Sequence, residues 1–322
     1  MKSLVGPQRH KDAVMSSVAH SDGMTSLLRL KSLAAARGIK FLPKRVQLTN
    51  LYRQINGAAP DLRAPRFLSE QILHRMFYDR DPLLRTFCDK VAAKKWIEAR
   101  IGPGSTPLTL AVTDSVETLG TLPLPDRWML KASHGSGWYQ LVNVASTPLN
   151  GVVIEQARTW LKTDYADRFQ EWGYRNLPRR LVAEELLCCA GGQCTEVSAF
   201  SFRGQVRGIR LYRPSYSRAV IRVSPPELLR TKECFLDEGL QLLPLIRPQH
   251  DHCPELAATY QHQLEPFLHK ARELSSATSF LRVDGYFTDN GVVVGELTPY
   301  PGAGIWLRMP RQWDAWFGAF WE

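Results

Sequence analysis

No apolar run in this sequence approaches the roughly 20 residues that a membrane-spanning helix requires, so no such span is expected. The opening residues, Met1-Lys2-Ser3-Leu4-Val5-Gly6, lack the apolar stretch and cleavage pattern of a secretory leader. The expected compartment is therefore the cytoplasm. Six cysteines are present, but they form no CxxC pair and no repeated Cys/His spacing, which excludes the common zinc modules. Cys188, Cys189 and Cys194 cluster in sequence, and reduced core or loop thiols are expected of them in a cytoplasmic chain. The sequence has no GxxxxGK[ST] loop, so phosphate binding of the Walker type is excluded. Internal repeats and low-complexity segments are also absent.

What remains is ordinary globular composition, with 44% hydrophobic and 22% charged residues over 322 positions. That length supports one large domain or two to three lobes. The net charge of +10 is uneven. Residues 1–50 carry nine Lys/Arg against Asp12 and Asp22, a net +7. Within this arm, Ser26 to Arg37 has helical spacing, with Leu27, Leu28, Leu30, Leu33 and Ala34 on one broad face. Such an arm either packs on the protein's own surface or makes weak contact with an anionic membrane surface or an acidic polymer. The rest of the chain is near neutral and carries no nucleic-acid-binding motif, so no nucleic-acid partner is expected.

Pro65 to Ile101 reads as mostly helical, with a helix entered after Asp81-Pro82. Leu108–Val112 reads as a short strand. Trp128–Ala132 and Tyr139–Val144 form a hairpin whose tip is His134-Gly135-Ser136-Gly137. A helix around Ile154–Thr163 precedes an apolar strand from Arg180 to Leu187. Glu196–Phe202 and Val206–Leu211 pair across Arg203-Gly204, and Glu255–Ser275 reads as one long helix. Hairpins mixed with helices point to an α+β or mixed α/β fold rather than a doubly wound parallel sheet.

The C-terminal hairpin carries the clearest chemistry. Phe280–Phe287 and Val292–Thr298 are strands around Asp289-Asn290-Gly291. A three-residue loop would place Gly291 at positive φ, Thr288 opposite Val292 and Tyr286 opposite Val294. Asp284 then faces Glu296, and Arg282 faces Thr298. Side chains alternate along a strand, so these four share one face, while Leu281, Val283, Phe287, Val293 and Leu297 share the core face. Two opposed carboxylates repel, and a hard cation such as Mg²⁺ between them removes that cost. Arg282 is placed to brace a phosphoryl group. An exposed charged face bridged by Arg282 is the alternative.

Upstream, Lys131 ends a strand just before the Gly-rich tip, where backbone N–H groups can approach phosphate oxygens. Asp89-Lys90 opens or interrupts a helix, and Glu184-Glu185-Leu186-Leu187 ends a strand. The order is informative: a lysine, a lysine with a Gly-rich hairpin, a Glu-Glu-Leu-Leu strand end, and an acid pair on a late hairpin.

That order resembles the ATP-grasp superfamily and, more closely, the TupA-like ATP-grasp family of teichuronopeptide biosynthesis. Phe87–Val91, Leu130–Gly137, Leu181–Leu187, Phe280–Asp284, Gly295–Pro299 and Trp313–Gly318 carry the resemblance, which runs from about Leu51 to the C-terminus. It implies an ATP-grasp fold divided into a basic arm (1–50), a helical region (51–125), a lid lobe (126–190) and a catalytic lobe (191–322). It implies ATP and Mg²⁺ as cofactors. Lys90 and Lys131 would contact phosphates, and His134, Gly135, Ser136 and Gly137 would close over them. Glu184, Glu185, Leu186 and Leu187 would form the adenine hinge, with Glu196 near the ribose. Asp284, Glu296 and Thr298 would form the metal site, Thr298 standing where many relatives carry asparagine. Arg282 and Lys131 would be catalytic. One departure is visible: Ser198 replaces a lysine common in the family, and Arg207 or Arg210 is an alternative source of that charge. The implied reaction joins a carboxylate to an amine through an acyl phosphate, on a small-molecule, glycan or glycopeptide substrate of cell-surface polymer synthesis. A kinase-like phosphoryl transferase, a nucleotide-binding or scaffold protein that has lost catalysis, and an anionic-polymer or membrane-binding protein driven by residues 1–50 are the competing readings.

Overall fold

The computed structural model describes residues 42–145, 148–187, 189, 194–214, 231–247 and 250–321. The amphipathic stretch from Ser26 to Arg37 lies outside them. Four helices come first: α1 (Lys44–Asn56), α2 (Leu68–Tyr78), α3 (Pro82–Cys88) and α4 (Lys90–Ile101). The next block is β1 (Thr109–Thr113), α5 (Val116–Thr121), β2 (Arg127–Ala132), β3 (Tyr139–Asn143), α6 (Gly151–Lys162), α7 (Ala166–Phe169) and β4 (Leu181–Glu185). The last block is β5 (Thr195–Phe202), β6 (Gln205–Pro214), β7 (Thr231–Leu236), β8 (Leu242–Leu243), β9 (Asp251–His252), α8 (Glu255–Thr259), α9 (Gln261–Ser275), β10 (Leu281–Thr288), β11 (Gly291–Thr298) and α10 (Arg311–Gly318). Among the described residues no helix is long and apolar enough to cross a membrane.

The strands form two sheets. The smaller is antiparallel in the order β1-β4-β2-β3, so it begins before residue 126. The larger runs β11-β10-β5-β6-β7-β8, with β9 pairing parallel to β7. This is the expected mixed α/β architecture. In place of one long helix over Glu255–Ser275, α8 and α9 meet at Tyr260, whose φ of −112° and ψ of 16° leave the helical region.

Both sheets bury a face, and the large sheet also buries part of its other face, where Phe200, Phe202 and Phe235 join the core that holds Phe317 of α10. On the large sheet, Val197, Ala199, Leu281, Val283 and Phe287 pack against Leu264, Phe267, Leu268 and Ala271 of α9. On the small sheet, Trp128, Leu130 and Ala132 join a second core with Val153, Ala157 and Trp160 of α6. The alternation of side chains leaves Met129 and Lys131 on the opposite face of β2, and Arg282, Asp284 and Tyr286 on the opposite face of β10.

The loop between β4 and β5 corrects one expectation. Cys189 and Cys194 form a disulfide, their Cα atoms 5.2 Å apart, rather than reduced thiols. That distance lies within the usual bridging separation. Cys88 and Cys234 are buried free thiols.

Candidate active site

The C-terminal hairpin reaches its expected pairing by a different route. Gly291 carries the positive φ, 110°. The ladder nevertheless closes one residue early, pairing Thr288 with Gly291 and Tyr286 with Val293. A bulge at Gly295 absorbs the difference, and Asp284 meets Glu296 while Arg282 meets Thr298. Glycine suits the bulge because Tyr286 covers it: a Cβ there would lie 2.5 Å from Tyr286 Cε2. The bulge also changes the core face of β11. Val292 and Val294 are buried and Val293 is not, contrary to the simple alternation.

Asp284 is the hub of this face. Its Oδ1 accepts hydrogen bonds from Arg282 Nε at 2.7 Å and Ser198 Oγ at 2.7 Å. Its Oδ2 accepts from Arg282 Nη2 at 2.8 Å and Thr298 Oγ1 at 2.6 Å. Burial acts to lower the Arg282 pKa, but the charges of Asp284, Glu296 and Glu196 outweigh it and hold the guanidinium above its usual range. Glu296 is less committed: its Oε1 lies 3.8 Å from Lys90 Nζ, and its side chain keeps 35% exposure. Glu196 shares the face, its Cα paired with those of Tyr286 and Tyr212.

Lys90 ties this hairpin to the small sheet. The helix boundary sets its position. Asp89 leaves the helical region, and its side chain caps α4 through Val91 N at 3.0 Å. Its other oxygen takes Arg180 Nη2 at 2.5 Å. Lys90 N then donates to Ser133 O at 2.9 Å, and Lys90 Nζ to Gly135 O at 2.6 Å. One lysine therefore touches both the Gly-rich tip and the acid pair.

Within the tip, one side chain points inward. His134 is buried, its Nε2 paired with Trp160 O at 2.9 Å, and burial lowers its pKa. A Cβ on Gly135 would meet Trp138 at 2.5 Å, so glycine lets the turn lie against that indole. Ser136 and Gly137 are the exposed residues of the tip. Any phosphate contact there thus falls to backbone groups and Ser136 rather than to the His134 imidazole.

Sequence reasoning assigned no role to Lys94. Glu184, almost fully buried, is clamped between Lys131 and Lys94; Lys94 Nζ sits 3.0 Å from its Oε1. Burial pushes the Glu184 pKa up, yet the two ammonium groups prevail and hold it low. Lys94 also donates to Pro107 O at 2.6 Å and Thr109 Oγ1 at 2.9 Å. The signal was available, because Lys90 and Lys94 are four residues apart and share a helix face. Glu171 was also missed. It is 4% exposed, its Oε2 has no hydrogen-bond partner among the described residues, and burial pushes its pKa up to about 8.

A cleft of about 1010 Å³ opens between α4 and the tip of the β10–β11 hairpin. Glu185, Leu186 and Leu187 line it together with Lys94, Val91 and Val293, whereas Lys131, Asp284 and Glu296 do not. Glu185 is held there by Leu108 N, which donates to its Oε1 at 2.7 Å. Among the described residues no group of three or more His, Cys, Asp or Glu could hold a metal ion. The donor set of Asp284, Glu296 and Thr298 is all oxygen, which suits a hard dication completed by ligand oxygens. All four lone-pair directions of Asp284 are already engaged, so a cation must displace one of its donors.

Comparison with solved structures gives distant similarity. D-alanine–D-alanine ligase from Bacillus anthracis is 16% identical, with 66% of this chain and 57% of that one covered at a TM-score of 0.35. The ATP-grasp ligase PsnB bound to a minimal precursor is 12% identical, covering 72% and 59% at 0.36. L-amino acid ligase from Bacillus licheniformis is 10% identical, covering 68% and 42% at 0.37. The chain thus spans about half the length of these structures. No match was found among curated proteins. The sequence itself matches the model of one family, described as TupA-like ATPgrasp, over residues 70–322. With both sheets, the Gly-rich tip and the acid hairpin all inside that span, the chain belongs to the TupA-like ATP-grasp family.

Proposed function

We propose that this protein is an ATP-dependent carboxylate–amine ligase that forms an amide through an acyl phosphate, acting on a cell-surface polysaccharide or glycopeptide precursor. The observation that carries the reading is Lys90, whose ammonium group bridges the Gly-rich tip and Glu296 across the two sheets. A triphosphate lying there meets positive charge from Lys90 and Lys131 and backbone N–H groups from the tip. Asp284 and Glu296 would hold Mg²⁺, with Thr298 beside them. When bound, that ion supplies neutralisation of the phosphate oxygens. Arg282 is placed to support charge developing on the transferred phosphoryl group.

In the first step a substrate carboxylate oxygen bonds to the γ-phosphorus and the bond to ADP breaks. In the second, an amine nitrogen bonds to the acyl carbon, phosphate leaves, and the nitrogen loses a proton. The chain's part is positioning and electrostatics. Incubation with ATP, Mg²⁺ and panels of carboxylates and amines is expected to yield ADP together with a condensed amide mass. ADP accompanied by a phosphorylated hydroxyl compound would replace ligation with phosphoryl transfer, and nucleotide binding without any product would favour a protein that has lost catalysis.

A further inference from the structure

The large sheet carries a second charged cluster that the nucleotide reading does not use. The cross-strand row containing Asp284 continues through Ser198 of β5 to Arg210 of β6. Residues directly opposite in a ladder share a face, and Ser198 donates to Asp284. Arg210 therefore stands on the same face as the acid pair, two strands away, roughly 10 Å at the usual strand spacing. Arg207, the other candidate for the missing lysine charge, is engaged elsewhere, with Gln205, with Glu238 at 3.4 Å and over the Phe320 ring at 4.8 Å.

Among the described residues the cluster has fewer carboxylates than arginines. One buried carboxylate, Glu233, serves two arginines. Arg247 gives it Nε at 2.8 Å and also Nη2, and turns Nη1 to Leu307 O at 3.4 Å. Arg210 gives it Nε alone, at 2.9 Å. The two terminal amino groups of Arg210 make no hydrogen bond among the described residues. The guanidinium lies over Tyr212 at 4.2 Å, and its side chain keeps 19% exposure. Against the single carboxylate Glu233, the neighbouring Arg247 adds positive charge. Burial, then Arg247, pushes the Arg210 pKa down to about 10, and burial, then Arg247, with Arg210 and Arg308 adding to it, pushes His250 down to about 4. A planar fork of donors with one edge unused among the described residues, beside Arg247, is the arrangement that recognises a carboxylate or phosphate.

We propose that Arg210, backed by Arg247, binds a second anionic group of the substrate, a carboxylate or phosphate held roughly 10 Å from the acid pair. This rests on the ligase reading, in which that pair marks the reacting end. The enzyme then selects substrates with two separated polar ends: a reacting group at Asp284 and Glu296, and an anion at Arg210. Ser198 lies between them and is short enough to leave room for the connecting atoms.

The test titrates the protein, with and without saturating MgADP, with glucuronate, glucose 1-phosphate and uncharged glucose. At least one anionic sugar should bind and glucose should not. Arg210→Met should weaken that binding about 10-fold or more and Arg210→Lys about 3-fold, since lysine keeps the charge but loses the fork. Affinity for MgADP serves as the separate readout. Preference for glucuronate assigns a carboxylate, preference for glucose 1-phosphate assigns a phosphate, and equal binding supports the shared chemistry. Anionic sugars that bind no better than glucose would overturn the proposal, as would an unchanged affinity in folded Arg210→Met. Should that variant not fold, unchanged affinity in Arg210→Lys and in Arg247→Met decides against it equally. Loss of MgADP binding by the wild type with anion binding intact would count against the ligase reading instead.

Discussion

Glu184→Gln isolates the clamp under the small sheet. Glu184 keeps 3% side-chain exposure, Lys94 11% and Lys131 17%. The amide preserves shape but leaves two partly buried ammonium groups facing each other. Removing one partner of a buried ion pair costs about 3–5 kcal/mol. The residual exposure of Lys131 places this case near the lower end, so about 3 kcal/mol is expected. Lys94→Met leaves the Lys131–Glu184 pair intact and should cost less. In the double variant the two losses should fail to add by about 1–3 kcal/mol. The sign with pH follows from the depressed Glu184 pKa. Its contribution is full above the ordinary carboxylate range and disappears as pH falls through the depressed value. Glu184→Gln should therefore flatten the acid limb of the stability curve. Urea denaturation from pH 3 to pH 8 reads both effects. A loss below about 1 kcal/mol, with an unchanged acid limb, would refute the clamp as a stabilising element.

Glu171 predicts the opposite pH dependence. Its raised pKa of about 8 means that its contribution is full below the ordinary carboxylate value and is lost as pH rises through about 8. Glu171→Gln should raise the melting temperature at pH 9 and change it little at pH 5, and equal shifts at both would contradict the burial argument. Gly295→Ala should cost roughly 1–3 kcal/mol by pushing Tyr286 off the bulge. It should also weaken Mg²⁺-dependent nucleotide binding by disturbing the register that opposes Asp284 and Glu296, whereas Gly137→Ala should leave that register untouched.

The acid hairpin was legible because parity is a strong constraint. Arg282, Asp284, Glu296 and Thr298 share a face under any register that opposes the two acids. The route to that register was not legible. Gly295 looks like any strand glycine until Tyr286 is seen covering it, and Val293 therefore exchanges faces with Val292 and Val294. His134 read as part of a phosphate loop because Gly-Ser-Gly follows it. Its burial depends on Trp138 and Trp160, the latter 26 residues away. Lys94 shares a helix face with Lys90, but its partner Glu184 is 90 positions distant in sequence, so the pairing itself was not legible. The Cys189–Cys194 bridge was not legible because no spacing rule supplies it. Arg210 was one of two candidates for the charge missing at Ser198, and its surroundings were not legible because Glu233 and Arg247 come from different segments.

Calorimetric titration with ATP is the most direct measurement of the central claim. The wild type should bind ATP in the presence of Mg²⁺ and bind at least 10-fold more weakly in EDTA. Asp284→Asn/Glu296→Gln should bind equally weakly in both conditions, and Lys90→Met should lose affinity in both. Equal affinity of the wild type with and without Mg²⁺, or full Mg²⁺ dependence in the double variant, would contradict a nucleotide and metal site on this face.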